Sequence, residues 1–359
     1  MNRIILTTGG TGGHIFPALA VAEELRQRGA KLLFVGSEFG SEARLAKQAG
    51  IDFCGLPVRG VLGRGMRSVG AACALLRAVF QARSVVADFR PDVVAGFGAY
   101  ASFAPLMAAR LRGVPLAIHE QNAMPGMTNR LLSRLASRVF LSLPDTTGAF
   151  QASKCLLTGN PVRQSIVALG SSGQEDFSGR RLLVMGGSQG ARAINSVILA
   201  SLERLMAAGI QIRHQTGTGD LDRVRAGYAA HGFDVSGVTP FIDDVAGAYA
   251  WADLVLCRAG ATSVAELAVA GKPSVLIPFP YATHDHQTCN ARVMMEQGAS
   301  VLVPESTIGQ NDVGGLLVEL LQDSARLKTM SVQARACARP DAAAQVAQGI
   351  LDLCSKTRG

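Results

Sequence analysis

Residues 4–17 read IILTTGGTGGHIFP, and this stretch decides the fold. An apolar run typical of a buried parallel strand leads into four glycines within five residues, and the apolar periodicity from Ala18 to Arg28 predicts a helix after them. A strand, a glycine loop and a helix form a cradle for a diphosphate, because glycines let backbone N–H groups approach an anion and the helix N-terminus adds partial positive charge. The spacing misses the GxGxxG dinucleotide pattern, since Ile15 stands where the third glycine should be.

A second stretch of the same kind lies near the middle of the chain. Residues 181–192 read RLLVMGGSQGAR, which again predicts a strand, a glycine loop and a helix. Elsewhere, apolar runs alternate with amphipathic stretches, and 359 residues are enough for two domains that each bury a core. We therefore predict an α/β protein with two doubly wound, Rossmann-like domains that face each other across a cleft, because ligands collect at the carboxyl ends of such strands.

The formal net charge of +8 suggests an anionic partner, which could be a phosphorylated substrate, a membrane surface or nucleic acid. The stretch from Arg59 to Arg83 is the most basic part, since no acidic residue occurs between Phe53 and Ala87 and its arginines alternate with apolar side chains. It is either the solvated side of a packing helix or a patch that rests on an anionic leaflet. The seven cysteines include no CxxC pair, which is typical of a reduced protein without a disulfide framework or zinc site.

Polar or small residues follow several predicted strands, where a doubly wound sheet binds its ligands. The strand around Val93 runs into a turn that contains Gly98, which either packs closely on a helix or contacts an anion. The next strand ends in HEQN at 119–122, which are either site residues or buried hydrogen-bond partners that brace the loop. Glu266 lies one turn into a predicted helix, where a carboxylate would bind a ribose diol or stabilise the helix dipole.

Two further patterns concern charged side chains. Arg130, Arg134 and Arg138 occur at four-residue spacing, which predicts one solvated face of a helix. Two histidines flank Asp285, but the surrounding residues fit helix N-terminal roles better than a metal site. The only DxD motif, at 220–222, follows a glycine turn and is typical of the first turn of a surface helix. We therefore predict neither a metal nor a cofactor.

Six motifs occur together along the chain, and their combination is far more specific than any single glycine loop. With them the sequence resembles the MurG family, the bacterial N-acetylglucosaminyltransferases of peptidoglycan synthesis, which have the GT-B architecture. The motifs are GGTGGHIFP at 9–17, HEQNAMPG at 119–126, GNPVR at 159–163, GGSQGAR at 186–192, RAGATSVAE at 258–266 and DHQTCNA at 285–291.

The resemblance implies a reaction and a domain organisation. The protein would transfer N-acetylglucosamine from UDP-N-acetylglucosamine to the muramoyl C4 hydroxyl of undecaprenyl-diphospho-muramoylpentapeptide, with inversion and without a metal. An N-terminal domain over residues 1–162 would bind the acceptor and face the membrane, and a C-terminal domain over 163–339 would bind the UDP-sugar. The last helix, at about 340–359, would return to the first domain. The protein would act peripherally at the cytoplasmic face of the inner membrane, with an anionic membrane surface and not nucleic acid as a partner.

The resemblance also implies roles for individual residues. Ser188 would contact the donor diphosphate, Ile242 the uracil, Glu266 the ribose and Gln287 the sugar hydroxyls. The other donor contacts would be Thr11, Gly12, Gly13, Asn122, Arg163, Ala261 and Thr262. The acceptor diphosphate would lie against Gly10, Gly12, Gly13 and Gly98.

His14 is the residue that we expect to act as general base. Imidazole titrates near working pH, and the loop that carries His14 lies where the acceptor hydroxyl should arrive. The alternative is that His14 only hydrogen-bonds the loop or a phosphate. Helix N-termini and Arg163 would stabilise the charge that develops on the departing UDP.

Three rival functions remain open. Another GT-B enzyme, such as a lipid glycosyltransferase or a UDP-sugar 2-epimerase, would share the fold. A two-Rossmann nicotinamide oxidoreductase would need a clean GxGxxG and an acidic residue at the end of the second strand, which only Glu38 approximates. A basic protein that binds nucleic acid fits the charge but leaves the glycine loops and polar strand ends without a role.

Overall fold

Two compact units make up the chain, each built on a parallel sheet of its own. Unit 1 comprises Met1–Arg163 and Arg339–Gly359, and unit 2 comprises Gln164–Ala338. This confirms the predicted fold class of two doubly wound α/β domains. The computed structural model describes residues 1–10, 12–58, 69–171, 177–187 and 189–356, with the backbone alone for 69–75 and 356.

Unit 1 alternates strands and helices around a seven-stranded sheet. Its elements up to the boundary are β1 (Arg3–Thr7), α1 (Gly12–Gln27), β2 (Lys31–Ser37), α2 (Glu42–Gln48), β3 (Asp52–Leu56), α3 (Val69–Phe89), β4 (Val93–Gly96), α4 (Phe103–Arg110), β5 (Leu116–Glu120), α5 (Met127–Ser133), β6 (Arg138–Leu141) and β7 (Cys155–Leu157). The strands are parallel in the order β3-β2-β1-β4-β5-β6-β7. The order reverses between β1 and β4, and this switch point is where doubly wound sheets bind ligands.

Unit 2 repeats this plan with six strands. Its elements are α6 (Gln164–Ser171), β8 (Arg181–Met185), α7 (Arg192–Ala207), β9 (Gln211–Gln215), α8 (Leu221–Ala230), β10 (Val238–Thr239), α9 (Val245–Trp251), β11 (Leu254–Cys257), α10 (Ala261–Ala270), β12 (Ser274–Leu276), α11 (His286–Glu296), β13 (Ser300–Leu302), α12 (Val313–Gln322) and α13 (Ser324–Ala336). The parallel order is β10-β9-β8-β11-β12-β13, so the switch point lies between β8 and β11.

The last helix, α14 (Ala342–Lys356), belongs to unit 1 and packs against α1. Val346 and Ile350 are fully buried in the same core cluster as Ile4 of β1 and Val93 of β4. The expected return of the C-terminal helix to the first domain is therefore confirmed. The apolar face of this helix explains the return, since burying it in the core removes that face from water.

A carboxylate anchors the switch-point strands in both units, half-buried in unit 1 and buried in unit 2. In unit 1, Asp92 immediately precedes β4, and its Oδ2 accepts a hydrogen bond from the N–H of Arg3 at 2.8 Å. In unit 2, Asp253 immediately precedes β11, and its Oδ2 accepts from the N–H groups of Arg180 and Arg181, each at 3.0 Å. The same device therefore ties β4 to the start of β1 and β11 to the start of β8.

Two element bounds differ from the sequence-based expectation. Helix α1 begins at Gly12 and not at Ala18, so His14 lies in the first turn of the helix. Glycine and proline are weak helix formers, so the sequence pattern did not indicate that the helix begins as early as Gly12. The expected arginine face is wrong, because α5 ends at Ser133 and Arg138 opens β6, where it pairs with β5.

We expect Asp253→Asn to lower the free energy of unfolding by about 1.5–3 kcal/mol, because the amide keeps the shape but loses charge-assisted bonds to backbone N–H groups. Asp253 is only 3% exposed, so water cannot replace those bonds. Urea denaturation followed by circular dichroism measures the change. Asp222→Asn, at an exposed position of α8, is the matched control and should change stability by no more than about 0.5 kcal/mol. Equal effects from the two substitutions would contradict the anchoring role.

Candidate functional site

In unit 1 the loops after β1 and β4 pack against each other, because these strands are neighbours. A Cβ on Gly9 would lie 2.5 Å from the Cβ of Ala101, so the two loops meet only because Gly9 has no side chain. Gly10 and Gly98 both have a φ of +84°, a conformation that favours glycine. A Cβ on Gly98 would come within 3.2 Å of Nδ1 of His14. The structure thus brings the predicted acceptor loop, Gly98 and His14 together at the switch point.

A buried carboxyl group supports the first glycine loop. Glu42 opens α2, its side chain is fully buried, and its Oε1 accepts a hydrogen bond from the N–H of Gly10 at 3.1 Å. The N–H of Gly10, which sequence reasoning assigned to an acceptor diphosphate, is therefore engaged within the protein. No local pattern could reveal Glu42, since 32 positions separate it from Gly10.

His14 is half-buried, and two oxygen atoms surround its Nδ1. The carbonyl oxygen of Phe97 lies 3.1 Å away, and Oε1 of Gln121 lies 3.0 Å away. Gln121 is buried, and its Nε2 lies 2.9 Å from the same carbonyl and 3.2 Å from Nδ1 of His119. The other nitrogen of His119, Nε2, lies 3.1 Å from the carbonyl oxygen of Gly159. A continuous chain of hydrogen bonds thus leads from His14 to Gly159.

His119 is neutral at neutral pH, because burial lowers its pKa to about 4. Glu120 is also buried, and it braces the following loop. Its Oε1 accepts from the N–H of Asn122 at 3.0 Å, and its Oε2 accepts from Nδ2 of Asn129 at 2.8 Å. His119 and Glu120 are therefore buried hydrogen-bond partners that brace the loop. Asn122, the predicted donor contact, is half-buried at the end of the braced segment.

Arg163 lies against the helix that carries His14. Its guanidinium stacks over the ring of Phe16 at 4.5 Å from the centroid. A stacked guanidinium keeps its N–H donors along the edge of the plane, which suits bidentate recognition of a phosphate. Arg163, the predicted phosphate contact, therefore lies beside the first two turns of α1, which carry the predicted base His14.

In unit 2 the loop after β8 rests on the turn after β9. A Cβ on Gly190 would lie 2.1 Å from a carbonyl oxygen of that turn, so the two backbones touch. Gln215, the last residue of β9, donates from Nε2 to the carbonyl oxygens of Gly187 at 2.9 Å and Pro240 at 3.0 Å. It thereby ties the glycine loop to the segment that leads to the predicted uracil residue Ile242. Sequence reasoning missed Gln215, because its partners are distant in the chain.

Glu266 lies on α10, which follows β11 at the switch point. Its side chain is 4% exposed, and its Oε2 accepts a hydrogen bond from the hydroxyl of Tyr249 at 3.4 Å. Ala261 and Thr262 form the first turn of the same helix. The burial of Glu266 does not fit a solvated carboxylate that merely complements a helix dipole.

Gln287, in the first turn of α11, follows two consecutive residues with positive φ. His284 has a φ of 54° and Asp285 a φ of 52°, which L-residues rarely adopt and which cluster at functional sites. Oε1 of Gln287 accepts a hydrogen bond from the N–H of Phe279 at 3.0 Å. The predicted sugar contact is therefore held at a strained turn beyond the carboxyl end of β12.

The DxD motif starts a surface helix, as expected. Oδ1 of Asp220 accepts from Nε of Arg223 at 2.6 Å, and its Oδ2 accepts from Nδ2 of Asn195 at 2.7 Å. The hydrogen bond from Arg223 is the main reason that the pKa of Asp220 falls to about 2. Within the described ranges, no three His, Cys, Asp or Glu side chains are grouped so as to hold a metal ion. A cavity of about 530 Å³ beside the motif is lined by Gln189, Gly190, Ala191, Arg192, Thr216, Gly219, Asp220 and Arg223.

Some of the predicted residues lie outside the described ranges. They are Thr11 of the first glycine loop, Ser188 of the second, and Arg59, Arg64 and Arg67 of the basic stretch. In the part of the chain that the structure describes, no helix is both long enough and apolar enough to cross a membrane.

Both halves of the chain match a known family. The glycosyltransferase family 28 N-terminal domain matches residues 4–141, and the glycosyltransferase family 28 C-terminal domain matches residues 181–346. A relative from Nitratidesulfovibrio vulgaris strain Hildenborough is 60% identical over 361 residues, which cover 99% of each chain. That relative is named UDP-N-acetylglucosamine--N-acetylmuramyl-(pentapeptide) pyrophosphoryl-undecaprenol N-acetylglucosamine transferase.

Solved structures agree with the sequence comparison. The crystal structure of MurG from Acinetobacter baumannii matches with a TM-score of 0.77 and 34% identity over 98% of this chain and 100% of that one. A UDP-N-acetylglucosamine 2-epimerase matches with a TM-score of 0.68 over 100% of this chain and 98% of its own, but at 13% identity, so this likeness shows the fold alone. The chain therefore belongs to glycosyltransferase family 28, among its MurG-type N-acetylglucosamine transferases.

Proposed function

We propose that the protein transfers N-acetylglucosamine from UDP-N-acetylglucosamine to the muramoyl C4 hydroxyl of undecaprenyl-diphospho-muramoylpentapeptide, the step from lipid I to lipid II. The observation that carries this proposal is the 60% identity, over 99% of both chains, to a relative named for this transfer. The 2-epimerase shares the fold at 13% identity, which gives no comparable support to an epimerase.

The acceptor hydroxyl must lose a proton as it attacks the anomeric carbon, and His14 is the group that we assign to this step. Its Nδ1 is bound by the carbonyl of Phe97 and by Gln121, which orients the ring. General-base catalysis by a positioned imidazole contributes about 10²–10⁴-fold to a rate. Direct attack inverts the anomeric centre, so an α-linked UDP-sugar gives a β-linked product.

We assign the donor to the strand ends of unit 2. Nε2 of Gln215 donates a hydrogen bond to the carbonyl oxygen of Gly187. This bond favours a loop conformation whose N–H groups are directed to an anion. The buried carboxylate of Glu266 would accept hydrogen bonds from the ribose hydroxyls. The other residues in this assignment are Thr11, Gly12, Gly13, Asn122, Arg163, Ser188, Ile242, Ala261, Thr262 and Gln287.

The departing UDP needs its negative charge stabilised, and backbone N–H groups with Arg163 are our candidates for this role. Asp220, the first carboxylate of the only DxD motif, already bonds Arg223 and Asn195, so it is committed to the protein. This arrangement supports transfer without a metal ion. The acceptor diphosphate is assigned to the loop of Gly10, Gly12 and Gly13 and to Gly98, with the N–H of Gly10 already bonded to Glu42.

Helix α3 supports a membrane contact for unit 1. Ala78 and Ala82 are buried on one face, whereas Leu76 and Phe80 are 60% and 68% exposed on the other. Exposed arginines of the basic stretch, Arg77 and Arg83, lie on the same helix. Exposed apolar side chains with flanking cations suit an anionic leaflet. We propose on this support that the protein acts peripherally, at the cytoplasmic face of the inner membrane.

Labelled UDP-N-acetylglucosamine and a lipid-linked muramoylpentapeptide acceptor test the function directly. We expect label to appear in the lipid product, at an undiminished rate when a chelator is present, because no metal is needed for the leaving group. Release of an epimerised UDP-sugar without label in the lipid would favour the 2-epimerase instead. Loss of transfer on chelation would overturn the metal-independent mechanism.

His14→Ala should lower kcat by about 10²–10⁴-fold, because the acceptor hydroxyl loses its proton acceptor. The Kd for UDP, measured by calorimetry, should stay unchanged, since His14 itself is not among the residues assigned to the donor. His231→Ala, at an exposed histidine of unit 2, is the matched control and should keep wild-type turnover. Near-normal turnover of His14→Ala with normal substrate affinities would remove His14 as the base.

The double substitution Leu76→Ser/Phe80→Ser should weaken binding to phosphatidylglycerol vesicles by about tenfold or more, because it removes two apolar side chains that would enter the leaflet. Sedimentation with vesicles measures the partition. Val332→Ser, which removes a 64% exposed apolar side chain from α13, should leave binding unchanged. Equal binding of wild type and double variant, or equal binding to neutral phosphatidylcholine vesicles, would contradict the membrane patch.

A further inference from the structure

We propose that Gln121 is a positioning residue that, with the carbonyl of Phe97, fixes His14 in the tautomer with its proton on Nδ1. The lone pair of Nε2 is then the basic site. This inference rests on the proposed function, since it concerns the group that we expect to take the proton of the acceptor hydroxyl.

The carbonyl oxygen of Phe97 determines the first part of the proton pattern, because a carbonyl can only accept hydrogen bonds. It lies 2.9 Å from one end of the Gln121 amide, so that end must be the NH₂ group. It also lies 3.1 Å from Nδ1 of His14, so Nδ1 must carry a proton to bond it. A flipped His14 ring would place a carbon against this oxygen and lose the bond.

The carbonyl oxygen of Gly159 determines the second part. It lies 3.1 Å from Nε2 of His119, which must therefore be protonated. Because burial keeps His119 neutral, its Nδ1 has only a lone pair, which accepts from Nε2 of Gln121 at 3.2 Å. Both N–H groups of the Gln121 amide are thus used, one on Phe97 and one on His119.

Only the amide oxygen of Gln121 remains, and it faces Nδ1 of His14 at 3.0 Å. Two backbone carbonyls therefore leave one consistent arrangement of protons through the whole chain from Gly159 to His14. Within the described ranges, no protein hydrogen bond to Nε2 of His14 is found. A histidine whose Nδ1–H is held by an acceptor has its ring oriented and its other nitrogen available as the base.

The choice of an amide has an electrostatic consequence. In serine-protease triads the same position beside the histidine is taken by a carboxylate, which orients the ring and adds negative charge. Here the substrates assigned to the site carry diphosphates, and a second anion beside them would be repelled. A glutamine held by His119 and a backbone carbonyl orients the base without adding charge.

Nuclear magnetic resonance of the protein with ¹⁵N-labelled histidine tests the tautomer without any substrate. Correlations between ring nitrogens and ring protons distinguish protonated from unprotonated nitrogens, and the signal absent in His14→Gln identifies His14 among the six histidines. At a pH where His14 is neutral, we expect Nδ1 to be protonated and Nε2 unprotonated. A predominant Nε2–H tautomer would overturn the proposal.

Steady-state kinetics test the catalytic consequence. Gln121→Met keeps the side-chain length but removes one of the two acceptors for Nδ1–H and leaves only the carbonyl of Phe97, so we expect kcat to fall about 10–100-fold while both KM values stay within about twofold. Gln121→Glu keeps an oxygen facing Nδ1, but its second oxygen would meet the carbonyl oxygen of Phe97 and the lone pair of His119, so kcat should fall in this variant too. Unchanged kcat in either variant would contradict a positioning role of the amide. If Gln121→Met fails to fold, the ratio of kcat in Gln121→Glu to wild type, well below one, remains the deciding measurement.

Gln215→Met is the matched control, since Gln215 is also a buried glutamine that donates to two backbone carbonyls. It should raise the KM for the donor and leave the His14 nitrogen signals unchanged. A changed His14 signal in this variant would mean that loss of any buried amide disturbs the site, against a specific role of Gln121. Failure of the proposed function is recognised separately, as absence of sugar transfer by the wild type.

Discussion

The parallel pairing of β1 with β4, repeated as β8 with β11, is the constraint on which the rest of the structure depends. Parallel strands end at the same edge, so each pairing brings two loops from distant parts of the chain side by side. The anchors at Asp92 and Asp253 act at the opposite edge, where they tie each switch strand to the start of its neighbour. A slip of one residue would exchange the two buried faces of a strand and separate the loops that meet at the site.

This close meeting of loops has a conformational cost. Ala99, between Gly98 and Tyr100, has a φ of 61° and a ψ of 165°, a region that glycine alone adopts easily. The hydroxyl of Ser102 donates to the carbonyl of Ala99 at 2.8 Å and holds the turn in this state. Backbone strain of this kind costs about 1–3 kcal/mol, and it persists only where the surrounding packing determines the conformation. Here it keeps Gly98 against His14, so the fold supplies the geometry that the predicted base requires.

The sequence was sufficient for features that depend on neighbouring residues. The two glycine loops, their strands and their position beside a switch point follow from local patterns, and the motifs around His14 and Glu266 are enough to indicate the family. Contacts such as Glu42 with Gly10 and Gln215 with Gly187 could not be predicted, because they join residues far apart in the chain. For the same reason, the sequence could not decide whether residues 119–122 (HEQN) brace the loop or bind a ligand. Only the positions of Phe97 and Gly159 decide that His119 and Gln121 organise protons.

The two glycine loops look alike in sequence, and their supports make them chemically different. Under the first loop, the carboxyl of Glu42 accepts the N–H of Gly10 and withdraws one donor from any anion. Under the second, the amide of Gln215 donates to the carbonyl of Gly187, so the support occupies an acceptor and withdraws no N–H group. A nucleotide diphosphate bound by backbone N–H groups therefore fits the second loop better. The first loop is followed by the N-terminus of α1 and by a histidine whose ring is held by an uncharged amide. These features suit a site where an anion is bound beside a group that accepts a proton.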